Sequence, residues 1–219
     1  MSAIELVAAD AESALALSAL EIAREPFTLS DPENDSLVFV ASGSSSVSLG
    51  GASHDIVPGS AMLVLAGEEA TFSAGANGLS AIRATVAPEA DRHAPLGPRE
   101  TVVALDATAS ESATGSRSYQ VLFGPSNGST RATLFAGYLP PGRAPWHFHL
   151  YDEIVWLPEG PGRLHLAGRV DELGPGSAFR LRPRQVHIVE NSSPDRELAV
   201  VGIFTPAGSP SAAYLAPAP

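Results

Sequence analysis

The chain contains no cysteine and no lysine; all thirteen of its basic residues are arginine. Without thiols it has no disulfide framework, no zinc–thiolate site, no iron–sulfur cluster and no sulfur nucleophile, so any metal must be held by nitrogen and oxygen. Without a lysine amine, Schiff-base catalysis, pyridoxal phosphate attachment and the phosphate-binding P-loop are excluded. The arginines are scattered and the formal net charge is -11. No basic patch is offered to a phosphate backbone, so no nucleic-acid partner is expected. Long hydrophobic runs are missing too. ALALSALEIA near the start falls short of the roughly 18 residues that cross a bilayer, and no cationic segment precedes it as in a secretory signal. The reading is a cytoplasmic protein with no membrane partner.

Helical periodicity is scarce outside the first 25 residues, where DAESALALSALEIA fits helix or strand. What is abundant is punctuation. Twenty glycines and nineteen prolines cut the chain into short apolar runs such as SLVFVA, AMLVLA, EIVWLP and ELAVVGIF, which are strand signals. An internal repeat adds to this. A constant shift of 117 residues lays DSLVFVASGSSSVSLGG, from Asp35 to Gly51, on DEIVWLPEGPGRLHLAG, from Asp152 to Gly168. The same shift lays PGSA at 58–61 on PGSA at 175–178. Between the copies, VAPEADRHAPLGPRE (86–100) is rich in proline and charge and has no periodicity. The expected organisation is two β units, residues 1–90 and 101–219, with a linker over 91–100.

The stretch HFHLYDE, 147–153, concentrates chemistry in a chain with six histidines. Side chains alternate faces along a strand, so His147 and His149 point the same way, and Glu153 at the start of the next strand returns beside them. His187, in PRQVHIVEN, is a further candidate. Three imidazoles and a carboxylate suit one divalent transition metal per chain: iron, manganese, nickel, cobalt, copper or zinc. Such a set leaves two positions on an octahedral ion for substrate or dioxygen.

GRAPWHFHLYDEIVWLPEG, Gly142 to Gly160, resembles the first motif of the cupin superfamily, and GSAFRLRPRQVHIVEN, Gly176 to Asn191, resembles the second. The resemblance covers most of residues 119–206. It departs from the pattern in PRQVH, which lacks the usual glycine between proline and histidine and is one residue shorter. The resemblance implies an all-β protein of two tandem jelly-roll barrels, the second holding a metal through His147, His149, Glu153 and His187. The 117-residue shift sets Ser30, Pro32, Ser36 and Ala70 at the places of those ligands, none of which can take the same metal role. A bicupin with a degenerate N-terminal barrel is therefore expected, and by analogy a homodimer. The implied function is that of a metal-dependent enzyme on a small-molecule substrate, dioxygenase-type, with an isomerase or lyase, or a non-catalytic binding protein, as alternatives.

Around the ligands, Arg143, Trp146 and Tyr151 are candidates for the pocket rim. Val155 and Leu157 share parity with Glu153 and are expected to line the cavity, with Trp156 on the other face. His165 lies between leucines that should point inward, which turns its ring outward to a surface or interface. Arg180, Arg182 and Arg184 alternate with Phe179, Leu181 and Pro183 and are expected to face solvent or a partner subunit. His54 and His93 receive no role.

Overall fold

A computed structural model describes residues 1–22, 26–73, 78–113 and 116–219. The chain folds almost wholly into β-strands. A six-stranded sheet runs in the order Ser2–Val7, Leu15–Ile22, Leu79–Val86, Asp35–Gly43, Ser60–Val64, Val102–Ala104. A second runs Glu111–Ser112, Ser118–Phe123, Thr133–Leu139, Leu198–Thr205, Asp152–Trp156, Ala178–Leu181. Each is closed by a smaller sheet: Phe27–Ser30, Glu69–Phe72, Ser45–Leu49 and Ala52–Ile56 for the first, and Gly142–Arg143, Ile188–Asn191, Gly162–Leu166 and Arg169–Leu173 for the second. Five consecutive strands of the two large sheets correspond in order. The hairpin Ser45–Leu49, Ala52–Ile56 falls residue for residue on Gly162–Leu166, Arg169–Leu173 under the 117-residue shift. The ambiguous early segment is strand over Leu15–Ile22; its last residue, Ala23, lies outside the described residues.

Burial explains which strands are apolar throughout. In the large sheets both faces are covered. Leu37, Phe39, Leu63 and Ile82 join Ile154, Trp156, Val201 and Ile203 in one core between the two barrels. The alternate residues Val38, Val40, Met62 and Val64 fill the N-terminal barrel, while Val155, Leu157, Leu181 and Val200 belong to the C-terminal one. A strand buried on both faces reads as a continuous apolar run, hence SLVFVA and EIVWL. The outer hairpins have one wet face and alternate, as in SSVSL and RVDEL.

Polar contacts cross between the barrels in a reciprocal pattern. Asp35 accepts from Arg131 of the other half at 2.7 Å, both nearly buried. Asp152, its equivalent, accepts from the Ser13 hydroxyl and, at 2.6 Å, from Arg180. Arg180 also donates to Ser13 and to the carbonyls of Ala8 and Leu15 at 2.8 Å. Arg180 therefore faces neither solvent nor a partner subunit: the back of its sheet is covered by the other barrel of the same chain. Arg182 reaches Asp10 in the same seam.

Residues 87–101 form neither helix nor strand. Val102–Ala104, which the sequence reading assigns to the C-terminal unit, instead pairs with Ser60–Met62 and covers the edge of the N-terminal sheet.

Candidate metal centre

His147–His149 is a three-residue strand paired with Ala213–Leu215. Its other side meets His187 through two backbone bonds, His147 N–H to the His187 carbonyl at 3.2 Å and the reverse at 2.9 Å. Directly opposed residues stand closest in a ladder, so the His147 and His187 rings lie 4.4 Å apart, centroid to centroid. His149, two positions on and on the same face, is 5.1 Å from His147 and 5.0 Å from His187. All three rings are buried. One ligating nitrogen from each lies within 4.8 Å of the other two.

The remaining ring nitrogens fix which atom faces inward. The Nδ1–H of His147 donates to the Pro145 carbonyl at 2.8 Å, that of His187 to the Gln185 carbonyl at 2.8 Å, and that of His149 to Glu153 Oε2 at 2.9 Å. Each bond selects the tautomer with a free Nε2 lone pair, the arrangement around imidazole ligands of metals. Desolvation pulls His147 down to about 4, aided by the nearby charges of Arg117 and His149, and pulls His187 down to about 3. Both are neutral at pH 7, the form that binds metal. The donor set fits a divalent transition ion.

Glu153, expected as the fourth ligand, lines the cavity that the imidazoles share. Its Oε2 accepts from His149 Nδ1 at 2.9 Å, and it is not among the three imidazoles whose ligating atoms all lie within 4.8 Å of one another. Gly202 makes room for it. A Cβ on Gly202 would lie 3.1 Å from Glu153 Oε1 and 2.2 Å from a ring carbon of Phe135. Gly202→Ala drives a Cβ into the Phe135 ring and crowds Glu153, so it is expected to shift both and weaken metal affinity roughly 10- to 100-fold, the usual cost of disturbing an outer-shell partner. A competition titration against a metallochromic chelator measures this.

The glycine missing from PRQVH is also explained. Arg184 takes its place with φ 65°, the left-handed conformation that glycine adopts without strain. Its N–H donates to the His149 carbonyl at 2.6 Å, tying the turn to the ligand strand.

The imidazoles open into a cavity of about 90 Å³. Tyr151 and Val155 line it, as do Leu181, Val189 and Val200. Tyr151 stacks on Phe204 with centroids 4.0 Å apart, and burial, reinforced by Glu153, raises its pKa and keeps it a phenol. The other rim candidates are elsewhere. Arg143 projects outward, its side chain 59% exposed, and pairs with Glu190 at 2.8 Å. Trp146 packs edge-on against His165, and Leu157 lies in the barrel core. His165 does turn outward but is buried under Trp146 and bonded to Glu190, not at a free surface.

Two wall components have no sequence signal. Arg117 lines the cavity from the segment before Ser118–Phe123, within electrostatic reach of Glu153, Tyr151 and His147. Desolvation lowers its pKa and Glu153 acts against that. The C-terminal stretch contributes Pro210, Ser211 and Ala213, held down by Tyr214 stacked on Phe148.

In the N-terminal barrel the pairing register revises one equivalence. Leu29 stands opposite Ala70 as His147 stands opposite His187. Leu29, not Ser30, thus occupies the place of His147: the 117-residue shift slips by one in this strand. Both Leu29 and Ala70 are buried in the barrel core. Ser36, at the place of Glu153, accepts from Arg83 Nε at 2.9 Å.

Neither a family model nor a curated protein matches this sequence. Solved structures do match. A point mutant of Bacillus subtilis oxalate decarboxylase shares 14% identity over 93% of this chain and 71% of its own, with a TM-score of 0.74. AerE from Microcystis aeruginosa shares 12% over 87% of this chain and 86% of its own, at 0.70. A cupin 2 conserved barrel domain protein from Leptotrichia buccalis shares 13% over 93% of this chain and 88% of its own, at 0.63. At these identities the likeness is one of fold, and the fold is the cupin type, with two barrels in one chain.

Proposed function

We propose that this protein is a metal-dependent enzyme acting on a small organic molecule, with dioxygenase-type chemistry. The observation that carries the reading is the convergence of three buried imidazoles, each oriented by an Nδ1–H bond, on a largely apolar cavity with an open mouth. When bound there, a divalent ion supplies Lewis acidity and, if it is iron, manganese, nickel, cobalt or copper, a place for dioxygen. His147, His149 and His187 hold it; Glu153 orients His149. Val155, Val189 and Val200 exclude water from the reacting centre, and the Tyr151 phenol remains a hydrogen-bond donor beside His149. The N-terminal barrel, with Leu29 and Ala70 at two ligand places, is proposed to carry no metal.

A specific observation favours isomerase or lyase chemistry as the second reading. Glu153 is a carboxylate in the cavity wall outside the imidazole group, where it can accept a proton. Oxalate decarboxylase, whose structures share this fold, has Mn(II) centres.

Elemental analysis of protein purified without added metal or chelator, with oxygen uptake on a panel of enols and catechols, tests both readings. About one iron, manganese, nickel, cobalt or copper per chain with substrate-dependent uptake is the expected result. About one zinc and no uptake moves the assignment to isomerase, lyase or binding protein.

A further inference from the structure

We propose that the cavity selects its substrate by size: it admits an aliphatic molecule of a few non-hydrogen atoms and turns away a single aromatic ring, with Phe135 setting the limit. The proposal rests on the metal-centre reading and names its substrate class.

Volume carries the first half. The cavity holds about 90 Å³, whereas an apolar cavity that takes up benzene measures about 150 Å³. An ion held by the three imidazoles occupies part of that space, so the room left for an organic ligand is smaller again. An aromatic that reaches the imidazoles through an oxygen on its ring has to bring the ring inside with it. A catechol is therefore too large, and a small aliphatic enol is not. The walls are fixed as well. Val155, Leu181 and Val200 are packed with Leu157, Leu164 and Leu198 in the barrel core, and Tyr151 is stacked on the fully buried Phe204. Close-packed interiors move little to admit a guest.

Phe135 carries the second half. It stands opposite Gly202 where Thr133–Leu139 pairs with Leu198–Thr205. Its ring lies across two glycines: a Cβ on Gly202 would overlap it, and one on Gly137 would stand 3.3 Å from it. The ring therefore already sits at the level of bare backbone and has no room to recede. Phe204 meets it edge-on, with centroids 6.0 Å apart. Among the described lining residues it is the one phenylalanine, and deleting it leaves a space the size of its own ring beside the imidazoles.

Acetohydroxamate and benzohydroxamate test this, because they carry the same chelating group on a methyl and on a phenyl ring. In calorimetric titration of manganese-loaded protein, acetohydroxamate is expected to bind at least about tenfold more tightly. Phe135→Ala removes or reverses that preference while retaining manganese. If Phe135→Ala does not fold, as judged by circular dichroism, Phe135→Val, whose side chain suits a strand, narrows the preference instead. On metal-free protein, benzene raises the melting temperature of the Phe135 variant and leaves that of the unmutated protein where it was. Benzohydroxamate binding as tightly as acetohydroxamate, or binding of neither, overturns the size limit. A Phe135 variant that keeps the unmutated preference overturns the role of Phe135. If the protein holds no manganese or other divalent ion, the metal-centre reading fails, and the benzene measurement still decides: benzene that stabilises the unmutated protein overturns the size limit.

Discussion

Replacing His147 and His149 together by alanine abolishes stoichiometric metal binding: elemental analysis falls from about one ion per chain to background. The size of the effect follows from the geometry. Three nitrogens converge within 4.8 Å, and two of them come from this one strand. A lone imidazole, His187, cannot hold an ion against solvent and chelators. The fold should survive, because the rings' Nδ1 partners are two backbone carbonyls and Glu153, and the barrel core does not run through them. His187→Ala should cost as much, since His187 alone represents the second motif in the group. Ser36→Ala, at the place of Glu153 in the other barrel, breaks only the contact to Arg83 and leaves metal content untouched. Full metal retention in the double variant would remove the site from this barrel altogether.

The histidines were legible because a strand's alternation is a strong constraint. Two residues of equal parity share a face whatever the sheet does next. The all-β fold was legible for the same reason, and the doubly buried runs SLVFVA and EIVWL announced the layer between the barrels without saying what lay on its far side. Three features were hidden. Glu153 has the parity of a ligand, but its bond to His149 and its approach to Gly202, forty-nine positions away, are not written in its own stretch. Arg117 sits in the polar stretch GSRSY, with no periodicity to aim it. Arg180 alternates correctly with Leu181, yet outward from one barrel proved to be inward against another, which parity cannot distinguish from solvent.

The two barrels also show how one fold makes both a packed core and a hollow site. Under the 117-residue shift, Leu20 of the first barrel falls on Gly137 of the second and Phe72 falls on Val189. Leu20 and Phe72 are buried in the N-terminal core, whereas Gly137 and Val189 border the cavity. Less side-chain volume at two interior positions, with His147 and His187 where the first barrel has Leu29 and Ala70, leaves a histidine-lined cavity in place of a filled core. Jelly-roll interiors tolerate this because the large sheet is stabilised from its other face by the inter-barrel core.

That inter-barrel seam is where the largest loss of stability is expected, from Arg180→Ala. The Arg180 and Asp152 side chains are only 9% and 7% exposed. Removing the guanidinium leaves the buried Asp152 carboxylate with the Ser13 hydroxyl and, at 3.9 Å, Arg182, and deprives the Ala8 and Leu15 carbonyls of their donor. Breaking a buried pair from one side costs about 3–5 kcal/mol, which for a chain of this size lowers the melting temperature by roughly 10 °C. Deleting both charges should hurt less than the two single changes added together, because most of each single loss is the unpaired partner rather than the bond. A cycle of Arg180→Ala, Asp152→Ala and the double variant, followed by chemical denaturation, measures the coupling. Additive losses would mean that the two residues act separately. Arg169→Ala, by contrast, breaks a pair between an Arg169 side chain 67% exposed and Asp171 and should leave the unfolding midpoint where it was. The comparison separates charge placed between barrels from charge placed in water: the first specifies how the two halves sit, and the second does not.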